Sequence, residues 1–149
     1  MKKEECVIFD LDGTLALIDE RRAAAAKPDG GLNWARFFDP ELIALDRPNG
    51  PVIEVFRLLR SAGYRMVIFS GRGAETRAAT ERWLRRHGIE WDFMVMRGEK
   101  NYEPDEKLKR EWFEKLDWPC AMVFDDRQKV VDMWRALGLT CFQVAEGNF

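Results

Sequence analysis

The stretch Cys6–Leu15, "CVIFDLDGTL", runs a short apolar segment into one carboxylate, Asp10, and sets a second, Asp12, two positions later. "CVIF" has the β-branched and aromatic make-up of a buried strand, so Asp10 falls at the strand's carboxyl end. Two carboxylates at that spacing repel each other, and the pattern needs something that compensates. Gly13 and Thr14 follow at once, offering close backbone approach and a hydroxyl within reach of Asp10.

Outward from this stretch the same kind of run recurs at 64–70 ("YRMVIFS"), 92–97 ("DFMVMR"), 120–126 ("CAMVFDD") and 140–145 ("TCFQVA"). Helix-like segments lie between them at 51–62, 74–87, 105–116 and 127–137, three of them stopped by Gly63, Gly88 and Gly138. Five strands alternating with helices predict an α/β fold. It is a three-layer, Rossmann-like arrangement, with a five-stranded, mostly parallel sheet covered by helices on both faces. Ligands in such sheets bind at the carboxyl ends of the strands. Asp10, Ser70, Arg97 and Asp125 all fall at or just after those ends.

Residues 16–50 break the alternation. They hold four consecutive alanines, a Lys-Pro-Asp-Gly-Gly turn cluster and the aromatics Trp34, Phe37 and Phe38. The segment reads as a loop insertion with one short helix near 33–38, either a partial lid or a packed Ω-like loop. Its aromatics read as core packing, with stacking on a base as the alternative.

At 149 residues and 46% hydrophobic content the chain fits one domain, 1–149, with a full core. Cys6, Cys120 and Cys141 form no C-x-x-C pair and read as small buried hydrophobes in a reducing compartment. "MKKEEC" leads straight into a strand and no 18 apolar residues stand together. That predicts no signal peptide, no membrane span and a cytoplasmic location. A net charge of −2 argues against a general nucleic-acid coat protein. Trp83, Trp112 and Trp134 read as core, His87 as structural, and the arginines of 77–86 as a solvated helix face.

The paired carboxylates suit attack on a phosphate ester. An Asp can attack that anion only when a cation shields the repulsion, and a second acid two residues on can protonate the leaving oxygen. Asp125 and Asp126 can complete the oxygen cage that Mg²⁺ prefers. Asp126 also reads as a helix N-cap, and Arg72 as a partner for Glu75.

The string D-L-D-G-T-L after an apolar strand resembles the first motif of the haloacid dehalogenase (HAD) superfamily. Ser70 matches the second motif, Asp105 and Lys109 of "DEKLK" the third, and "VFDD" the fourth. "SGR" at 70–72, Arg97 eight residues before Asp105, and 124–149 resemble more narrowly the phosphatase domain of phage-type polynucleotide kinase/phosphatase. That likeness runs from Cys6 to Phe149 apart from the loop around 23–33. It implies a HAD fold with a minimal cap and removal of 3′-phosphates from polynucleotide ends. Asp10 would be the nucleophile, Asp12 the acid and base, and Ser70 and Lys109 the holders of the phosphoryl oxygens. Mg²⁺ would sit on Asp10, the Asp12 main-chain carbonyl and one or both of Asp125 and Asp126. Arg21, Arg72 and Arg97 would contact substrate beside Thr14 and Asp105, with Asp105 orienting Lys109 one helical turn on.

"SGRGAETR" lacks the spacing and the Lys-Ser/Thr end of a kinase phosphate loop, so no kinase activity is expected and a separate kinase or ligase partner fits. "GEKNYEP" at 98–104 is too short to form a cap domain, which leaves room for a polymer. The alternatives are a small-molecule phosphatase acting on free nucleotides and, more distantly, a phospho-accepting signalling domain.

Overall fold

Side-chain alternation along the first strand decides how the layers assemble. In β1 (Cys6–Phe9), Cys6 and Ile8 face one layer while Val7 and Phe9 face the other. The computed structural model describes residues 2–149. Two short strands, β2 (Ala16–Leu17) and β3 (Arg47–Pro48), pair with each other antiparallel outside the main sheet. The remaining strands, β4 (Arg65–Gly73), β5 (Phe93–Arg97), β6 (Cys120–Asp125) and β7 (Cys141–Gln143), join β1 in the order β5-β4-β1-β6-β7, every pair parallel. This is the predicted five-stranded α/β sheet.

Strand order reverses at β1, whose neighbours β4 and β6 are reached by crossovers on opposite faces. Helices α4 (Gly50–Ser61) and α5 (Arg77–Arg86) supply Ile53, Phe56, Trp83 and Leu84 to the layer that holds Val7 and Phe9. The opposite layer buries Val130, Val131 and Trp134 of α7 (Gln128–Ala136) against Ile8 and Phe69, with Trp112 and Phe113 of α6 (Asp105–Glu114) beside them. Trp83 and Trp134 are core as expected, and Trp112 is half-buried. The crevice above β1 is therefore the switch point at which such sheets bind ligands, and Asp10 is the first residue past it. The 98–104 connection between β5 and α6 has no helix or strand of its own.

The insertion is more ordered than its sequence suggests. In place of a loop with one short helix it forms α1 (Asp19–Ala25), α2 (Trp34–Phe37) and α3 (Pro40–Ile43). The alanines extend α1, in keeping with their high helix propensity. Asn33 caps α2 by accepting from Arg36 N, and Asp39 caps α3 by accepting from Glu41 N ahead of Pro40. The β2–β3 pair closes the base of the insertion, where Asn49 N donates to Leu15 O. No helix among the described residues is long and apolar enough to cross a membrane.

Candidate active site

Asp10 leaves β1 nearly buried, its main-chain N–H held by Phe124 O of β6 at 2.9 Å. Thr14 Oγ1 donates to Asp10 Oδ2 at 3.2 Å, and Lys109 Nζ, reaching across from α6, donates to Asp10 Oδ1 at 2.8 Å and to Asp125 Oδ2 at 3.0 Å. Lys109, and not Lys107, is the lysine at the site; Lys107 pairs with Glu103 on the surface. Asp125 ends β6, and its Oδ1 accepts from Asp126 N. One oxygen from each of Asp10, Asp125 and Asp126 lies within 4.8 Å of the others, and the Lys109 ammonium bonds two of the three, Asp10 and Asp125.

The electrostatics follow from that imbalance. Burial pushes the Asp10 carboxyl well above the ordinary carboxylate range, Asp125 pushes it the same way, and Lys109 only partly opposes them. Burial likewise raises Asp126. Burial alone would lower the Lys109 ammonium, but Asp10 and Asp125 more than reverse this and raise it. A buried trio with an excess of negative charge and all-oxygen donors is the chemistry that suits a hard divalent cation, so these residues fit Mg²⁺. Gly13 belongs to the same construction. Its φ is +85°, and a Cβ there would sit 2.0 Å from Asp126 Oδ2. Only glycine lets the loop after β1 pass that carboxylate.

Asp12 stands apart from the trio. Its Oδ1 accepts from Arg21 Nη2 at 2.7 Å, Arg72 Nη2 at 2.6 Å and Arg72 Nε at 3.0 Å. All three donors converge on one oxygen, and Oδ2 has no protein partner among the described residues. Burial would raise this carboxyl, but the charges of Arg72 and Arg21 and their hydrogen bonds outweigh it and hold it below the usual range. Both arginines are fully buried. Behind them lies a residue that the sequence did not single out, Asp46, whose side chain is also inaccessible. It accepts from Arg21 Nε at 3.0 Å and from Arg72 Nη2 at 2.9 Å, while its main-chain oxygen accepts from Trp83 Nε1 at 2.9 Å. Thr80 Oγ1 takes Arg72 Nη1 at 3.0 Å and Phe37 O takes Arg21 Nη1 at 3.3 Å. Burial lifts Asp46 to about 6, against the pull of Arg21 and Arg72.

The structure thus brings Asp10, Thr14, Lys109, Asp125 and Asp126 together, with Ser70 buried at the end of the regular part of β4. It turns Arg21 and Arg72 onto Asp12 and Asp46 rather than outward, and Arg72 makes no pair with Glu75. Arg97 is engaged with Gly71 O, Asn101 O, Glu103 O and the Asp105 carboxylate, so it staples the 98–104 connection. Asp105 accepts from Arg97 and Arg127 and makes no hydrogen bond to Lys109, which corrects the expected one-turn contact. The Lys109 ammonium prefers the more buried anions Asp10 and Asp125. The Asp12 carboxylate lies outside the trio, and its expected share in metal binding is the main-chain carbonyl alone.

The family model of the polynucleotide kinase PNKP phosphatase domain matches residues 4–149. The chain belongs to that family. It is a HAD-type phosphatase domain. A chain of the Pnkp1/Rnl/Hen1 complex is 35% identical and superposes with a TM-score of 0.83 over 98% of this chain and 47% of its own. A chain of the Pnkp1/Rnl/Hen1 RNA repair complex gives 35% and 0.82, over 97% and 43%. This chain therefore spans less than half the length of those relatives. The class C acid phosphatase from Bacillus anthracis with tungstate bound, 19% identical with a TM-score of 0.64 over 93% of this chain and 62% of its own, shares the fold.

Proposed function

We propose that residues 1–149 form one phosphatase domain that removes 3′-phosphates from polynucleotide ends, with 16–50 as an insertion beside the site. The observation that carries this reading is the division of labour among the carboxylates. Asp10 sits with Lys109 in a charge-excess pocket, while Asp12, two residues away, is held separately by buried arginines in a chain matched along 4–149 by the polynucleotide kinase PNKP phosphatase-domain family.

In this reading an Asp10 carboxylate oxygen attacks phosphorus and the bond to the leaving oxygen breaks, giving an aspartyl-phosphate. Lys109 and Ser70 hold the phosphoryl oxygens as charge develops. Asp12 Oδ2, the oxygen left free by the arginines, delivers the proton to the leaving oxygen and later takes one from the water that cleaves the acyl phosphate. Arg21 and Arg72 orient Asp12, and substrate charge arriving beside them weakens their hold on its negative form, which raises its affinity for a proton. Mg²⁺ held by Asp10, Asp125, Asp126 and the Asp12 main-chain oxygen would screen the approach of an anionic phosphate to an anionic nucleophile.

The reading includes a cytoplasmic setting, and a separate kinase or ligase partner fits it, since similar chains belong to an assembly named for three components. The test is phosphate release, with Mg²⁺ and with a chelator, from RNA and DNA oligonucleotides carrying a 3′-phosphate, beside 5′-phosphate oligonucleotides and free nucleotides. Metal-dependent release from the 3′ end is expected. Turnover of free nucleotides alone would overturn the polynucleotide reading in favour of a small-molecule phosphatase.

A further inference from the structure

The acid that protonates a leaving group must lie on the side from which that group departs. If Asp12 protonates the 3′ oxygen, the nucleoside leaves past Asp12 Oδ2, and the last nucleotides lie on the surface around that residue. Trp34 belongs to that neighbourhood, joined to Asp12 through two buried side chains, Arg21 and Phe37. Arg21 Nη2 is 2.7 Å from Asp12 Oδ1, the Arg21 guanidinium lies over the Phe37 ring at 4.4 Å, and Phe37 packs against Phe38 and Trp34 with centroids 5.2 and 5.7 Å away. Phe37 is buried and Phe38 half-buried, but Trp34 is 61% exposed and lies nearly parallel to Phe38, 22° apart. Trp34 belongs to a short helix whose Asn33 cap fixes its direction. The ring packs on Phe37 and Phe38 along one side and leaves the larger part of its surface in water.

Two exposed arginines stand on α2 itself and on α1, which packs against it. Arg22 in α1 and Arg36 in α2 are exposed and have no carboxylate partner among the described residues; Arg36 Nε donates to Ala24 O, and Arg22 lies over the Phe149 ring. An exposed aromatic ring on a helix pair that carries cations without carboxylate partners matches a base with its phosphates.

We infer that Trp34, backed by Phe38, is the stacking platform for one of the last two bases at the 3′ end, with Arg22 and Arg36 facing the adjoining backbone phosphates. The inference rests on the polynucleotide reading above and names how that substrate is told from a simple phosphate ester.

The test is a cycle of kcat/KM values. Wild type and Trp34→Ala are each assayed on a 3′-phosphate oligonucleotide, on the same oligonucleotide with the last or the next-to-last base removed, and on glycerol phosphate. Stacking predicts that Trp34→Ala lowers the oligonucleotide-to-glycerol-phosphate ratio about 5- to 150-fold. Removing the stacked base should lower the wild-type value by a similar factor and leave Trp34→Ala little further to lose, with Trp34→Phe recovering part of the loss. An unchanged ratio would overturn the platform and free this face for a protein partner. An equal fall on all substrates would overturn it in favour of a structural role. Should wild type fail to act on any 3′-phosphate oligonucleotide, the function proposed above falls first and the platform with it.

Discussion

Asp46→Asn removes one negative charge from the back of the Asp12 clamp while keeping the side-chain size. The carboxylate anchors Arg21 through Nε at 3.0 Å and Arg72 through Nη2 at 2.9 Å. An amide offers one oxygen and turns an NH₂ toward a guanidinium, so at least one arginine loses its second anchor and Asp12 loses its fixed direction. A hydrogen bond to a charged group is worth about 1.5–3 kcal/mol. If the loss appears as misplacement of the proton donor, the rate falls about 10- to 100-fold, within the range that general acid catalysis supplies. The assay compares kcat on a 3′-phosphate oligonucleotide or glycerol phosphate with kcat on p-nitrophenyl phosphate, whose leaving group needs little help from a proton. The alkyl esters should carry the whole loss and the nitrophenyl ester change less than about threefold. An equal fall on both would show that Asp46 merely supports the fold, and no fall on either would refute the clamp.

Asp10→Asn should abolish turnover while its melting temperature at pH 7 stays level or rises, because a carboxylate that burial and Asp125 already disfavour is replaced by a neutral group; retained turnover would sink the nucleophile assignment. Mg²⁺ should raise the melting temperature, by about 2.7 kcal/mol of stability at a hundredfold excess over Kd, and Asp125→Asn should lose most of that gain. Asp10 and Asp126 are both raised, so protons compete with the ion: calorimetry from pH 5 to pH 8 should show the Mg²⁺-induced shift growing with pH, and a shift independent of pH would contradict the trio as the binding site. Gly13→Ala should cost about 1–2 kcal/mol of backbone strain and, by crowding Asp126, weaken Mg²⁺ binding measured by titration.

Much of this was legible in the sequence, for reasons that can be stated residue by residue. The strand-helix alternation placed Asp10, Ser70 and Asp125 because carboxyl ends of parallel strands converge whatever the loops do. Lys109 was reachable through motif spacing. The direction of the arginines was not. Arg21 and Arg72 look outward-facing in a sequence because a guanidinium is expected to stay in water unless paired, and their pairing depends on Asp46, 25 residues from one and 26 from the other. In "LIALDRPNG" that residue looks like an ordinary turn acid. The one available hint was spacing: Asp46 follows Leu42 by four and Ile43 by three, the interval that puts it on their buried face, while Ala44 and Leu45 between them are exposed.

The insertion gains a role from this clamp. Phe37 O, Arg21 and Asp46 all belong to it, and Trp83 of α5 fixes Asp46 from the other side. In the proposed mechanism the β1 end of the sheet therefore supplies the nucleophile and the charge-excess pocket, while the insertion supplies half of the groups that aim the proton donor, Arg21, Asp46 and Phe37 O, and β4 and α5 supply Arg72, Thr80 and Trp83. Alanines and turn residues through 23–33 can vary without touching the nucleophile, but a change that shifts α3 moves Asp46 and, through two arginines, Asp12. On that mechanism the groups that act at phosphorus and the groups that aim the proton donor come from separate pieces of chain. Variants of Arg21, Asp46 or the α3 helix that leads to it should accordingly separate alkyl from nitrophenyl esters, whereas variants of Asp10 and Asp125 should depress both alike.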